Sequence, residues 1–95
     1  MATVLIDGEN VRRSTWPNIG RNELEERARS WGREHGHEVA VVWEGAETAD
    51  DRIAGQVREL TAPLWVVTSD RGLRERVAGH VERIVGGGSF VRQLP

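Results

Sequence analysis

The 95-residue chain contains no cysteine. That excludes disulfide bridges, thiolate metal sites and a cysteine nucleophile. Lysine is absent as well: all thirteen basic residues are arginine. No apolar run approaches the roughly 20 residues that cross a bilayer, so no membrane partner is expected. There is no internal repeat and no low-complexity tract. Met1-Ala2-Thr3 runs directly into Val4-Leu5-Ile6, which leaves no room for a secretory leader. A soluble, cytoplasmic protein is the expectation.

Fifteen acidic residues give a formal net charge of −2. Such a balance exerts no general pull on nucleic acid, but local arginines and bound metal ions change the field of a single site. A chain of 10.6 kDa predicts a folded surface of roughly 5,500 Å² and one modest core. Residues 1–95 are therefore expected to form a single compact domain. Apolar residues make up 38% of the chain and four of its residues are tryptophan. That thin core favours a homodimer, in which a second copy supplies further burial.

Val4-Leu5-Ile6 has the continuous apolar character of a buried strand. Asp7 to Arg21 forms a long connection, a functional loop or a partly helical one. Asn22 can cap a helix with Glu25 as its box partner. Leu24, Ala28, Trp31 and His35 then recur on one helical face, and Gly36 ends that helix. Val39 to Trp43 predicts a second buried strand. Thr48 can cap a helix whose packed face is Ile53, Ala54, Val57 and Leu60. Leu64 to Val67 predicts a third strand, Ser69 or Asp70 the start of a helix ending at Gly79, and Val81 to Val85 a fourth strand. Gly86-Gly87-Gly88 then breaks regular structure with no convincing helix behind it, while Phe90 and Leu94 fold back to seal an edge. Strands alternating with amphipathic helices predict an α/β fold: a mostly parallel sheet of about four strands with helices on both faces. Functional groups then belong beyond the carboxyl ends of the strands.

Three acids fall at that end. Asp7 directly follows the first strand, Asp70 closely follows the third, and Asp50 opens the helix after the second. At 100° per residue Asp50 lies about 30° from the mean direction of its helix's apolar face and Asp51 about 130° away. Asp50 is thus expected over the sheet edge and Asp51 sideways or in a cap. Clustered carboxylates repel one another and resist desolvation, so they need a proton or a cation. Mg²⁺ and Mn²⁺ take such oxygens, activate water and stabilise phosphoryl oxygens. Each acid also has a plainer reading: Asp7 as a turn cap beside Gly8, Asp70 as a helix N-cap, Asp50 and Asp51 as first-turn charges. Asn10 is positioned to bond a carboxylate, water or phosphate, or its own turn. Thr68 and Ser69 stand behind the acids as hydroxyls or local caps, and Glu9, Glu44 and Glu47 extend the acidic rim.

Val4-Leu5-Ile6-Asp7-Gly8-Glu9-Asn10 resembles the opening of the NYN domains of the PIN-like nuclease group, in particular the YacP-like branch. That branch usually has Asp-Gly-Tyr-Asn, where this chain has Glu9 in place of the aromatic. Glu47-Thr48-Ala49-Asp50-Asp51-Arg52-Ile53 looks like its acidic helix opening, and Val66-Val67-Thr68-Ser69-Asp70-Arg71 like its late-strand motif. The resemblance implies a compact PIN-like three-layer fold, here with four strands ordered 2-1-3-4 and a family strand missing. It implies a divalent-metal-dependent ribonuclease, with Asp7, Asp50, Asp51 and Asp70 as metal acids and the family asparagine at Asn10. Mg²⁺ or Mn²⁺ is the implied cofactor and RNA the implied partner.

Around these acids, Arg12, Arg13, Arg21, Arg71 and Arg74 are candidate phosphate contacts. Trp16 is a candidate base platform or a core cover. Trp31, Trp43 and Trp65 are expected to be buried in the core or a dimer. His35, His37 and His80 lack metal-ligand spacing and are expected to pack, cap or face solvent. Two other readings stay open: an RNA-binding or regulatory domain that does not cut, and a structural homo-oligomeric module.

Overall fold

A computed structural model of the chain describes residues 1–61 and 63–95. Its strands are β1 (Thr3–Asp7), β2 (Glu38–Val42), β3 (Leu64–Val67) and β4 (Arg83–Val85), and its helices α1 (Gly8–Arg12), α2 (Arg21–His35), α3 (Ala49–Glu59), α4 (Arg71–Val77) and α5 (Gly87–Gln93). The strands form one parallel sheet, as the pattern of apolar runs and helices predicts, and its order β2-β1-β3-β4 is the one that the family resemblance implies. Chain order 2-1-3-4 reverses direction between β1 and β3, so their carboxyl ends flank the switch point where open α/β sheets gather functional groups.

Alternation along the strands divides the core into two layers. Val4, Ile6 and Val67 face one side, where Val11 of α1, Leu24, Ala28 and Trp31 of α2, and Phe90 of α5 cover them. Leu5, Leu64 and Val66 face the other, under Ile53 and Val57 of α3 and Leu73 and Val77 of α4. The three layers expected from sequence are thus present, and the accessible surface is 5505 Å². No helix of the described residues is long and apolar enough to cross a membrane.

Several local expectations change. The helix expected to be capped by Asn22 begins two residues earlier, at Arg21, with extended Gly20 as its N-cap and Leu24 N–H donating to Gly20 O. Glu25, freed from any capping box, accepts Trp43 Nε1–H at 2.6 Å. β2 is an edge strand with alternating exposure, because only β1 pairs with it. Leu60 is 42% exposed, as it lies past the last turn of α3 as its C-cap. The helix after β3 stops at Val77, short of Gly79, and β4 spans only Arg83–Val85. Trp43 and Trp65 are half-buried, while Trp31 is buried as expected.

The largest departure is the triple glycine. It opens α5, with Gly86 as N-cap and Phe90 N–H donating to Gly86 O. Glycine is a poor helix former, but close packing overrides propensity here. A Cβ on Gly87 would collide with the side chain of Ser14 and press on Ser69 Oγ. With no Cβ, the helix start settles onto them, Gly87 N–H reaches Ser69 Oγ at 2.9 Å, and Phe90 docks edge-on against Trp31 with centroids 5.0 Å apart. Phe90 and Leu94 therefore seal a face of the sheet, not its edge.

Candidate functional site

Asp7 is the last residue of β1 and the N-cap position of α1. The chain turns from strand to helix with no linker, which fixes the carboxylate at the sheet's carboxyl end. Gly8 makes the turn feasible by approach. A Cβ there would sit 2.6 Å from Trp43 Cε3 and 2.7 Å from Cζ3, so the indole lies directly against the backbone. Gly8→Ala is expected to displace Trp43 and its bond to Glu25, costing about 1–3 kcal/mol. Urea unfolding monitored by circular dichroism measures that loss, and an unchanged midpoint would contradict the contact.

Thr68, fully buried just past β3, is the brace of the site. Its hydroxyl donates to Asp7 Oδ2 at 2.8 Å, with Asn10 Oδ1 at 3.3 Å as a weaker second acceptor. The same Oγ1 accepts the backbone N–H of Asp70 at 3.1 Å. Asn10 Oδ1 accepts Ser69 N–H at 2.8 Å, which ties α1 to the loop after β3. Asp70 caps α4, its Oδ1 accepting Leu73 N–H at 2.9 Å. Thr48 caps α3 by accepting Asp51 N–H at 3.2 Å, which sets Asp50 in the first turn.

These elements enclose a cleft of about 490 Å³ at the carboxyl end of the sheet. Asp7, Asp50, Asp70 and Glu44 line it together with Asn10, and Glu9, Arg13, Ser14 and Thr48 complete its walls. The structure thus brings Asp7, Asp50 and Asp70 to one cleft, as their positions in sequence predict, and Glu44 joins them. Asp51 and Glu47 instead line a separate hollow beside Arg52 and Gln56. Asp51 pairs with Arg76 at 3.0 Å, in keeping with the sideways direction that helix geometry assigns it. Arg71 and Arg74 line a third hollow with Ser69 and Ile84. Trp16 is 89% exposed in the loop between α1 and α2. Ser14 escaped the sequence reading; its signal is its place four residues after Asn10, whose carbonyl accepts its hydroxyl at 2.8 Å. His35 and His37 pack on Trp31, with centroids 4.8 and 5.5 Å away, far from these acids in role.

Electrostatics single out Asp7. Burial pushes its carboxyl up to about 6; the Thr68 hydrogen bond opposes the rise, and the neighbouring charges of Asp50, Asp70 and Glu44 add to it. Asp50 is raised too, by burial first and then by Asp70. Glu9 goes the other way: its hydrogen bond from Arg12 and the charges of Arg12, Arg13 and Arg21 hold it below the ordinary carboxylate range. Asp7 and Asp50, which resist ionisation, therefore share their cleft with Glu9 and Arg13 at its rim.

Among the described residues no three acidic or histidine side chains close around one point as a complete metal cage. The chemistry of the donor set still fits a hard dication. Five carboxylates line one cleft, and the buried one, Asp7, is held against its own charge. Mg²⁺ keeps several waters and binds through one or two carboxylates, so an open set of oxygens suits it.

No family model and no curated protein matches the chain. Among solved structures, the crystal structure of Rae1 (YacP) from Bacillus subtilis superposes with a TM-score of 0.83 over 98% of this chain and 74% of that one. The chain has the fold of Rae1. At 22% identity the likeness to Rae1 concerns architecture, and it agrees with the YacP-like, PIN-like fold that the motifs at Asp7, Asp50 and Asp70 suggest. About a quarter of the Rae1 chain lies outside the match.

Proposed function

We propose that the protein is a divalent-metal-dependent ribonuclease that hydrolyses RNA phosphodiesters in the cleft over Asp7. The observation that carries this reading is the buried carboxylate of Asp7 at the end of β1, raised to about 6 and sharing its cleft with Asp50 and Asp70. Unrelieved, that arrangement is unfavourable to folding at neutral pH; a bound cation relieves it. The YacP-like motifs and the fold shared with Rae1 support the same reading.

Within it, Asp7, Asp50 and Asp70 hold Mg²⁺ or Mn²⁺, with Glu44 adding charge at the rim. When bound, such an ion would supply positive charge for the phosphoryl oxygens and lower the pKa of a bound water towards neutrality. The Thr68 hydroxyl fixes Asp7 Oδ2, so the carboxylate does not rotate as substrate arrives. Asn10 has its carbonyl oxygen engaged by Ser69 N–H, which leaves its amide NH₂ as a donor for a phosphate oxygen. Asp70, with Oδ1 in the α4 cap, is held at a constant distance from β1 by the Thr68 brace.

Cleavage of a labelled single-stranded RNA with Mn²⁺ or Mg²⁺ tests the proposal. Wild-type protein is expected to cut, chelator to stop it, and Asp7→Asn, verified as folded, to lower the rate by about a hundredfold or more. Binding without cleavage by the wild type would favour a non-cutting RNA-binding domain. Metal-dependent cleavage undiminished in Asp7→Asn would remove Asp7 from the mechanism.

A further inference from the structure

Glu9 stands where the YacP-like branch usually has an aromatic residue, and it is the centre of an ion-pair cluster. Arg12 Nε lies 2.9 Å from Glu9 Oε1, Arg13 Nη2 3.2 Å from Oε2, and Arg21 Nη2 3.3 Å from Oε1. Arg12 and Arg13 reach it along α1 at helical spacings of three and four residues. Arg21 reaches it from the first turn of α2, across the loop that carries Trp16.

The three arginines are not equivalent. Arg12 also donates Nη1–H to Ile19 O at 3.4 Å and its side chain is mostly covered, so it is a strut that fastens the loop. Arg13 and Arg21 are about two-thirds exposed, at 67% and 64%. Each gives Glu9 one terminal nitrogen and keeps other N–H donors of its fork free. Arg21 is further restrained by the Trp43 ring, 5.1 Å below its guanidinium carbon. Arg13 is the one cation among the residues lining the acidic cleft. One carboxylate against three guanidiniums leaves a net positive rim beside an acidic floor, and two largely exposed planar forks are tied to the same carboxylate. Such a fork pair matches the oxygens of a phosphodiester.

We propose that Glu9 is a positioning residue that holds Arg13 and Arg21 as a two-armed clamp for a backbone phosphate of an RNA strand next to the one over Asp7. The inference rests on the ribonuclease reading and adds to it how the strand is registered. Phosphate contacts position a strand without reading its bases, so the clamp gives register, not sequence preference. Preorganisation lowers the ordering cost of two flexible side chains on binding.

The test is fluorescence anisotropy of a labelled single-stranded RNA, titrated with wild type and variants over a series of salt concentrations in Mg²⁺, with cleavage followed separately. Arg13→Ala and Arg21→Ala, at exposed positions, are each expected to weaken binding about three- to tenfold and to reduce the salt slope by about 0.7, the contribution of one single-strand phosphate contact. Glu9→Gln, which removes the charge that gathers both arms, is expected to weaken binding about threefold or more, with KM raised more than kcat falls. Tighter binding by Glu9→Gln would overturn the positioning role, because the carboxylate would then be competing with phosphate. Unchanged affinity and slope in both arginine variants would overturn the clamp while leaving cleavage, and hence the ribonuclease reading, intact. Arginine-dependent binding without cleavage by the wild type would leave the clamp and defeat the hydrolytic reading. No RNA binding by the wild type would defeat both.

Discussion

Asp7→Asn is expected to raise the thermal midpoint of the metal-free protein at pH 7 by about 5 °C while it removes cleavage. The carboxyl has an ordinary value of 3.8 and is pushed up to about 6 in the folded chain. Between those values the folded protein holds a proton that the unfolded chain has released. Stability from this group is therefore greatest below about pH 4, falls as pH rises through 4 to 6, and is fully lost above 6. The charged group costs about 3 kcal/mol at neutral pH by that difference. Asparagine keeps an oxygen for the Thr68 hydroxyl and carries no charge. Its own burial offsets part of the gain, leaving about 1 kcal/mol, which is about 5 °C for a domain of this size.

Scanning calorimetry at pH 4, 5, 6 and 7 in chelator measures the effect. The wild-type midpoint should decline across that range more steeply than the variant's, and the two should draw together at the acid end. Adding Mg²⁺ should restore stability to the wild type and not to the variant, since binding to the native state alone raises its stability. Asp50, raised in the same direction by burial and Asp70, keeps a residual slope in the variant. A variant less stable than wild type at pH 7 would show that Asp7 is not held against its charge. The site would then be a product of local capping instead of a cleft that trades stability for function.

Phe90→Ala is expected to cost about 3–5 kcal/mol, a large part of the roughly 5–15 kcal/mol available to a small domain. Phe90 is the largest fully buried side chain and is 1% exposed. It closes the layer formed by Val11, Leu24, Ala28 and Trp31, and its loss removes the edge-on contact with Trp31. α5 also holds the loop after β3 through Gly87 N–H and Ser69 Oγ, so the same change loosens the segment that carries Thr68 and Asp70. Urea unfolding should show a lowered midpoint with little change in slope. A loss under about 1 kcal/mol would mean that α5 is a loose appendage and that the triple glycine only breaks structure.

The parallel sheet, its two apolar layers and the gathering of Asp7, Asp50 and Asp70 were legible in the chain, whereas the sheet order came from the family resemblance. The sheet and its acids follow from local pattern: apolar runs of three to five residues, amphipathic helices between them, and acids placed at or soon after the strand ends. Even the separation of Asp50 from Asp51 is a matter of helix angle. The Thr48 and Asp70 caps were legible for the same reason, since a cap is a contact across three residues.

Other features depend on contacts distant in sequence. Nothing near Gly86-Gly87-Gly88 signals a helix; Ser14 and Ser69, about seventy and eighteen residues away, decide it by requiring a residue without a Cβ at Gly87. Thr68 becomes the brace of the site only because β1 and β3 are neighbours, which puts its hydroxyl 2.8 Å from Asp7 across 61 residues. The division of the arginines into a buried strut at Arg12 and two open forks at Arg13 and Arg21 arises from where α2 meets α1. By itself, then, the sequence determined the four strands, the helices α2, α3 and α4 between them and which acids meet, because periodicity and chain order carry that information. Only the tertiary structure decided how those acids are braced, how far Asp7 resists its charge and which arginines remain open, because burial and cross-chain hydrogen bonds exist only once the layers have packed.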